Sequence, residues 1–295
     1  MYLIVGSETD PLSQRVADTL RGRGRRVAVT PEPLAGAGTF SWRLDDQHSQ
    51  SNLRLATGPD VPGTALRGVL VRAMGRPTKP EGWSPDDFAY VQSETQAALL
   101  AWLWSLPCVV VNRPTADLWF RPERSYLEWR PLLVRSGLPT LSIQIGNDPA
   151  AARAFADRWS DAVVYAPLTS FARYAIDDEQ QWAEVGKVMA FVPVCLVEPS
   201  SDPTCRACLV GREVIWDGSA DPGGHEREVL ERGLRRLATA LQLEVLEIEV
   251  RRGRAGLCCV GVNLYPNLES YADSRGELLA ARVADTLDGS QGGAK

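Results

Sequence analysis

Cysteine and histidine are the side chains of this 295-residue chain that most readily bind metals, and it has six cysteines and two histidines. Cys205 and Cys208 have the spacing of half a zinc site. The surrounding residues predict a β-strand, however, on which positions i and i+3 face opposite ways, and the adjacent residues Cys258 and Cys259 diverge for the same reason. We interpret the cysteines as small buried hydrophobic side chains and keep zinc as the weaker alternative.

The other candidates for nucleophile and base do not form a recognisable set. His48 and His225 lie in polar stretches without partners at a recognisable spacing, and the serines occur in turn-like contexts. No pairing of nucleophile and base of the kind used in covalent catalysis is visible. The spacing of these residues therefore names no reaction.

The composition is that of a globular protein, with 44% hydrophobic and 23% charged residues, a formal net charge of −5 and a pI near 5.3. The acidic balance argues against nucleic acid as a partner. No apolar run approaches the roughly 20 residues that span a bilayer, so no membrane segment is expected. The chain opens on a strand pattern rather than a signal peptide, and we expect a cytoplasmic protein with reduced thiols.

Hydrophobic periodicity predicts a strand–helix–strand opening, at residues 2–6, 11–23 and 26–30, which favours a parallel pair with a right-handed crossover. The first turn reads Gly-Ser-Glu-Thr-Asp and lacks the Gly-x-Gly-x-x-Gly fingerprint, so we set a dinucleotide site aside. Further strands are predicted at 40–44, 52–56, 68–74, 109–111, 163–165 and 213–216. Further helices are predicted at 86–106, 123–136, 148–158, 223–241 and 276–287. Two strand pairs are predicted, 192–198 with 205–210 and 246–251 with 257–263.

Several segments carry a further signal in their order. Glu94 lies in the long helix, and the strand after it ends on Asn112-Arg113-Pro114. Residues 125–145 run from Ser-Tyr-Leu to Gly-Leu-Pro-Thr, and residues 204–214 contain Cys-Arg and Val-Gly-Arg-Glu-Val. Glu249 and residues 262–269 follow. In this order the segments resemble the ATP-grasp superfamily, with the graspetide (microviridin-type) ligases of ribosomally made peptides as the nearest branch and the glutamate-adding ligases further off.

The resemblance implies an α/β (α+β) protein with the ATP-grasp fold. A βαβ pre-grasp lobe would occupy residues 1–115, a small central lobe residues 116–190 and an antiparallel-sheet lobe residues 191–288, with a disordered tail at 289–295. Ligases of this superfamily make an acyl-phosphate from a carboxylate and ATP, and their proteins position phosphates and Mg²⁺. The resemblance further implies a homodimer, or pairing with a paralogous ATP-grasp ligase, and a precursor peptide as partner.

Several positions that should hold Mg-ATP carry other residues. Tyr126 and Ala166 occupy the two phosphate-lysine positions, and Gly261 replaces a metal-binding glutamate. The segment that should cover the phosphates, between Ala166 and Val192, contains only Gly186 and no Gly-rich cradle. Removing such charge-assisted contacts costs about 1.5–3 kcal/mol each.

Four residues match functional positions of the family, and these assignments have ordinary structural alternatives. The resemblance makes Glu249 and Asn263 vestigial metal ligands, Glu198 and Arg206 remnants of the nucleotide cleft, and Arg206 the catalytic candidate. The alternatives are that Glu249 pairs with nearby Arg251, that Glu198 is a solvated strand end, and that Arg206 is a surface arginine.

Three hypotheses follow. The first is a degenerate ATP-grasp protein that binds a precursor peptide or a partner ligase without ATP turnover and needs no cofactor. The second is an active ATP-dependent carboxylate–amine or –hydroxyl ligase, using ATP and Mg²⁺ with substitute contacts such as Arg121 or Arg124. The third, an enzyme of another class that reuses the cleft, has no named chemistry. Nucleotide binding separates the first two.

Overall fold

The computed structural model describes residues 1–31, 33–34, 38–46, 49–55, 60–72, 79–120, 124–159, 162–168, 172–219 and 222–289. His48, Arg121 and all of the predicted tail except Gly289 lie outside these residues. In the described part of the chain, no helix is both long and apolar enough to cross a membrane.

The N-terminal lobe is built on a parallel sheet. Its four strands are β1 (Tyr2–Val5), β2 (Val27–Thr30), β6 (Gly68–Val71) and β7 (Val109–Val111), in the order β2-β1-β6-β7. The apolar run of β1 is buried on both faces, as expected of a central parallel strand. Helix α1 (Pro11–Gly22) begins where the Asp10 carboxylate accepts a hydrogen bond from the Ser13 amide, with proline in the first turn.

Two additions complete this lobe. Strands β3 (Thr39–Leu44), β4 (Ser49–Arg54) and β5 (Val61–Pro62) form a small antiparallel sheet. Helix α2 (Pro85–Ser105) packs only its last turns into the lobe, through Leu99, Trp102 and Leu103. None of its first fourteen residues, 85–98, is buried.

The central lobe has its own antiparallel sheet, in the order β10-β9-β11-β8. Its elements are β8 (Ile143–Gly146), α5 (Pro149–Asp157), β9 (Val163–Tyr165), β10 (Tyr174–Ile176), α6 (Glu179–Met189) and β11 (Val194–Val197). The helix predicted at 148–158 is confirmed as α5, and the Asp148 carboxylate caps it by accepting a hydrogen bond from the amide of Ala150 at 2.9 Å.

The C-terminal lobe is an antiparallel sheet between two layers of helix. Its strands are β12 (Ser201–Val210), β13 (Glu213–Trp216), β14 (Val245–Gly253) and β15 (Gly256–Asn263), in the order β13-β12-β14-β15. One face packs against α4 (Tyr126–Arg135) and α7 (Gly224–Leu241), and α3 (Ala116–Phe120) precedes them in the chain. The opposite face packs in part against α8 (Asp273–Leu287) and the N-terminal lobe.

Asn112 joins the N- and C-terminal lobes at the end of β7. Its backbone adopts φ of 54°, a left-handed conformation that asparagine tolerates better than most residues. Its side-chain amide donates to the carbonyl of Val245 and accepts from the amide of the same residue, both at 2.8 Å. A hydrophobic cluster containing Ile4, Val210 and Leu279 spans the two lobes as well.

Some elements differ from the predictions. The predicted pairing of 192–198 with 205–210 is wrong: β11 pairs with β8 and β9, and β12 pairs with β13 and β14. Strand β11 therefore lies beyond the predicted boundary at residue 190 yet belongs to the central sheet. Helix α4 lies within the predicted central lobe but packs on the C-terminal core. Strand β5 and most of helix α6 were not predicted.

Candidate functional site in the cleft of the C-terminal sheet

A row of polar positions crosses the C-terminal sheet on the face away from α7. Arg206 on β12 is the register partner of Glu249 on β14, and Glu249 is the register partner of Gly261 on β15. The flanking residues on these strands, such as Ala207 and Ile248, point to the opposite side and into the core under α7. We call Arg206, Glu249 and Gly261 the polar row.

Tyr126, at the first predicted lysine position, uses its hydroxyl within the protein. The hydroxyl donates to the carbonyl of Cys259 and accepts from the amide of Leu141, each at 3.2 Å. Burial raises the pKa of this phenol, so it stays protonated at all physiological pH values. The side chain fastens α4 to β15 and supplies no positive charge to the cleft.

Ala166, at the second predicted lysine position, follows β9. Its amide donates to the carbonyl of Cys195 at 3.0 Å, and its methyl group packs against a small buried cluster that includes Leu141, Cys258 and Val260. This position supplies neither charge nor hydrogen bond to a ligand. The segment after it forms β10 and α6, and Gly186 lies within α6.

The two predicted metal ligands are each bonded to other residues of the protein. The Glu249 carboxylate accepts from Arg251 at 3.3 Å, with each side chain about one-third exposed. The Asn263 amide donates to Glu247 at 3.1 Å, and its oxygen accepts from the Tyr265 amide at 2.9 Å. The predicted alternative, in which Glu249 pairs with Arg251, describes the geometry present.

Gly261 leaves open the place where a metal-binding carboxylate would stand. A Cβ built at this position would lie 3.4 Å from the Glu249 Cβ and 3.7 Å from one of its carboxylate oxygens, ordinary contact distances. The backbone therefore tolerates a side chain here, and the chain simply lacks one. Immediately before this position β15 has a bulge, with Val260 as the extra residue.

Glu247 is a buried carboxylate that the sequence analysis missed. It lies on β14 two residues before Glu249, and it accepts hydrogen bonds from Asn263 and from the Tyr271 hydroxyl, the latter at 2.6 Å. Burial raises its pKa, an effect that these two hydrogen bonds oppose. Its place between the apolar residues Leu246 and Ile248 was the available signal.

Glu198 is buried, with 4% of its surface exposed, and so is not a solvated strand end. Its carboxylate accepts from the Ser142 amide at 2.7 Å, and its own amide donates to the Ser142 carbonyl at 3.0 Å. Ser142 immediately precedes β8 and Glu198 immediately follows β11. The carboxylate thus joins the two chain segments that lead into and out of the central sheet.

Arg206 is hydrogen-bonded to Asp217 through its backbone and not through its side chain. Its amide donates to the Asp217 carboxylate at 3.0 Å, and its carbonyl accepts from the Asp217 amide at the same distance. Asp217 also accepts from the amide and hydroxyl of Ser219. Within the described residues, the Arg206 guanidinium forms no ion pair, although it is half-buried.

Arg173 is a second residue that the sequence analysis missed. It reaches from the segment before β10 to the bulge of β15, where it donates to the carbonyl of Val260 at 3.3 Å. Its guanidinium lies 6.0 Å from the centre of the Tyr126 ring. Burial lowers its pKa, and so does the charge of Arg251. Nothing in its local sequence marked it, because the contact is made between lobes.

Arg124, suggested as a substitute phosphate contact, and the cysteines, suggested as zinc ligands, are used in other ways. Arg124 forms an ion pair with Asp117 and lies 5.2 Å from the Trp129 ring centre. Cys205 and Cys208 face different cores, as their spacing on a strand predicts. Burial raises the pKa of Cys205 to about 11, which disfavours the thiolate that zinc needs. Among the described residues, no three His, Cys, Asp or Glu side chains are grouped for metal binding.

The residues of this cleft do not fit Mg-ATP. Magnesium requires hard oxygen ligands arranged as an octahedron, at least one of them acidic and free to coordinate. Here the Glu249 carboxylate contacts a guanidinium, the Glu247 carboxylate is buried and bonded to Asn263 and Tyr271, the Asn263 oxygen accepts from the Tyr265 amide, and position 261 has no side chain. The two expected lysine positions hold a tyrosine bonded to the backbone and a half-buried alanine.

Comparison with known proteins places the fold. No protein-family model and no curated protein matches the sequence. The macrocyclase MdnC of Microcystis aeruginosa, bound with precursor peptide MdnA, is 14% identical, with 97% of this chain and 98% of that chain covered and a TM-score of 0.74. A RiPP-associated ATP-grasp ligase of Chryseobacterium gregarium, in complex with ADP and a leader and core peptide, is 14% identical over 98% and 96% of the two chains, with a TM-score of 0.73.

A third solved structure agrees with these two. The ATP-grasp ligase PsnB, complexed with minimal precursor, Mg and ADP, is 18% identical over 97% of this chain and 96% of that chain, with a TM-score of 0.72. The similarity extends through all three lobes, because almost the whole of each chain is covered. The predicted fold class is confirmed: the chain has the ATP-grasp fold, in the arrangement found in ligases solved with ribosomal precursor peptides.

Proposed function

We propose that this protein binds a precursor peptide in the maturation of ribosomally made peptides and does not turn over ATP. The observation that carries the proposal is the Tyr126 hydroxyl, bound to the backbone of Leu141 and Cys259 at the position where the resemblance expects a phosphate-binding lysine. The peptide part is supported by the three similar structures, each of which contains a precursor or leader and core peptide.

The test is a direct assay of turnover. Purified protein is incubated with ATP, Mg²⁺ and a candidate precursor peptide, and ADP release and peptide mass are followed. We expect no ADP above the level of a heat-denatured sample and no loss of water from the peptide, while titration calorimetry detects peptide binding. Stoichiometric ADP formation or a cross-linked product would refute the proposal and establish the alternative, an active carboxylate–amine or –hydroxyl ligase that works through an acyl-phosphate.

The proposal includes self-association through α2. None of its first fourteen residues is buried, and Tyr90 and Val91 are 65% and 40% exposed. An isolated helix of about 12–15 residues is only marginally stable in water, so a partner surface for this segment is expected. A second copy of the chain is the partner we favour, and a paralogous ligase is the alternative.

Sedimentation analysis tests this association. We expect a homodimer for the unaltered protein and a monomer for the double variant Tyr90→Glu/Val91→Glu. The control is Val134→Glu, which places the same charge on an exposed valine of α4. A monomeric unaltered protein would exclude the homodimer and leave the paralogous ligase as the partner to be sought.

A further inference from the structure

The outer face of α7 carries an open hollow on the side of the C-terminal lobe that is remote from the cleft. The inner face of this helix is buried in the core of the lobe. The hollow has a volume of about 630 Å³ and is lined, among the described residues, by three arginines, two glutamates and the small residues Thr239 and Ala240. These residues extend over about 18 Å of helix, which is enough to receive a second helix of several turns.

The charge of this hollow is positive. Glu231 is paired with Arg235 at 3.1 Å, so the two charges offset each other. The second carboxylate, Glu228, stands against Arg232 and Arg236, and both of these arginines are exposed and form no ion pair with a described residue. Because an unpaired guanidinium group binds carboxylates through a fork of donors, the hollow favours an acidic occupant.

The first turns of α2 carry the complementary features. Asp86, Asp87 and Glu94 are the acidic residues of this segment, and positions 85–98 contain no lysine or arginine. Tyr90 and Val91, which we call the apolar ridge, lie between these carboxylates and are exposed. Residues three and four apart share one face of a helix, so the ridge lies on the same face as Asp87 and Glu94. Helix α2 therefore presents an apolar surface with an acidic side chain at each end.

We propose that the first turns of α2 dock in the hollow along α7 of a second copy of the chain. Thr239 and Ala240 have small side chains, so the two helices can approach closely where the apolar ridge packs on them. In an antiparallel alignment, Glu94 lies one turn beyond the ridge and Arg236 one turn before Ala240, and the two charges meet. The same contact covers the exposed turns of α2 and supplies the hollow with its acidic occupant.

This contact joins two different surfaces, and two reciprocal copies of it close a dimer. It rests on the self-association through α2 proposed above and adds the surface that α2 meets. The proposals fail separately. ATP turnover would refute the absence of catalysis and leave the contact intact, whereas a dimer in which α2 meets α2 would refute the contact and leave the self-association intact.

Charge reversal in the hollow is the first experiment. Sedimentation analysis of Arg232→Glu/Arg236→Glu should show a dissociation constant for self-association raised about tenfold or more, because like charges would then face Glu94. The control is Arg26→Glu/Arg67→Glu, which reverses two exposed arginines of the N-terminal lobe and should change this constant less than about twofold. Equal effects of the two double variants, or an unaltered protein that stays monomeric, would overturn the contact.

Mixing two variants distinguishes this contact from one between two α2 helices. Tyr90→Glu/Val91→Glu alters only α2, and Arg232→Glu/Arg236→Glu alters only α7. Each variant alone should be monomeric at concentrations where the unaltered protein associates. The mixture should contain a heterodimer, because the intact α7 of the first variant accepts the intact α2 of the second. A mixture that stays monomeric would refute the contact. The heterodimer also establishes that both variants are folded.

Exchange of charges within one chain tests the role of Glu94. Glu94→Arg should weaken self-association about fivefold or more, and its combination with Arg232→Glu/Arg236→Glu should restore the dissociation constant to within about threefold of the unaltered value. Self-association of the unaltered protein should also weaken as the salt concentration rises. A combined variant no better than its parents, or association independent of salt, would overturn the charge pairing on which the contact is built.

Discussion

Replacing Tyr126 by phenylalanine removes one oxygen atom and two hydrogen bonds. The hydroxyl bridges the carbonyl of Cys259 on β15 and the amide of Leu141, a residue that is fully buried. Phenylalanine retains the ring that packs on the core under α7. The substitution therefore isolates the role we give to this hydroxyl, which is to fasten α4 to β15.

The magnitude follows from the two contacts. A buried backbone group left without a partner costs about 1–3 kcal/mol, but both distances are 3.2 Å, at the long end for such bonds. We therefore expect Tyr126→Phe to lower the free energy of unfolding by about 1–2 kcal/mol. In a chain of this size that corresponds to a fall in melting temperature of roughly 2–5 °C.

Urea unfolding followed by fluorescence and circular dichroism measures the change, with agreement between the two probes as the test of a single transition. Tyr174→Phe is the control, because Tyr174 is 56% exposed and its ring stacks on Tyr165 without using the hydroxyl in the described residues. A change for Tyr126→Phe as small as that for the control would refute the reasoning.

Three further predictions concern stability. Burial raises the pKa of Glu247, so the unaltered protein loses stability as the pH rises from the unfolded pKa of about 4.3 through the folded pKa. Glu247→Gln removes this titrating group. Urea titrations between pH 4 and about 7 should therefore show a smaller loss of unfolding free energy in the variant. Arg72→Met should cost about 2–4 kcal/mol in the same assay at pH 7, since it leaves the part-buried Asp10 carboxylate without its cation; a smaller effect would mean that water replaces the guanidinium. Gly233→Ala should lower the free energy of unfolding by about 1–3 kcal/mol, because a Cβ there would lie 2.6 Å from Leu138. Gly186→Ala, where a Cβ would have nothing within 4 Å, should raise it by about 0.5–1 kcal/mol through the better helix propensity of alanine. Shifts in melting temperature of the same sign for both variants would contradict the packing argument.

Periodicity and capping residues were sufficient to predict much of the fold. The helix at 223–241 and the hairpin at 246–263 follow from spacing, and Asp148 before Pro149 marks a helix start. The opposite faces of Cys205 and Cys208 follow from the strand period alone. These are local properties, so neighbouring residues determine them.

Strand partners and cleft contacts could not be predicted in the same way. The buried run of β11 carries no information about which strands flank it, and it was assigned to the wrong sheet. Arg173 reaches its site from a different lobe, and the hydroxyl of Tyr126 is satisfied by residues that are distant in sequence. The family resemblance marked which charged side chains are missing, but it could not indicate the contacts that Arg173 and Glu247 make near those positions.

The pairing of Ser142 with Glu198 has a mechanical consequence. The central sheet and its helices form one excursion of the chain, which departs at Ser142 and returns at Glu198, and these two residues are bonded to each other. Asn112 meanwhile holds the N- and C-terminal lobes together. The N- and C-terminal lobes thus form a base from which the chain leaves and to which it returns at one place, and the central lobe also contacts this base through Arg173 and a small buried cluster. Because the two ends of the excursion are adjacent, the base is topologically complete without it, and the lobe is a module that a short turn between residues 142 and 198 could replace.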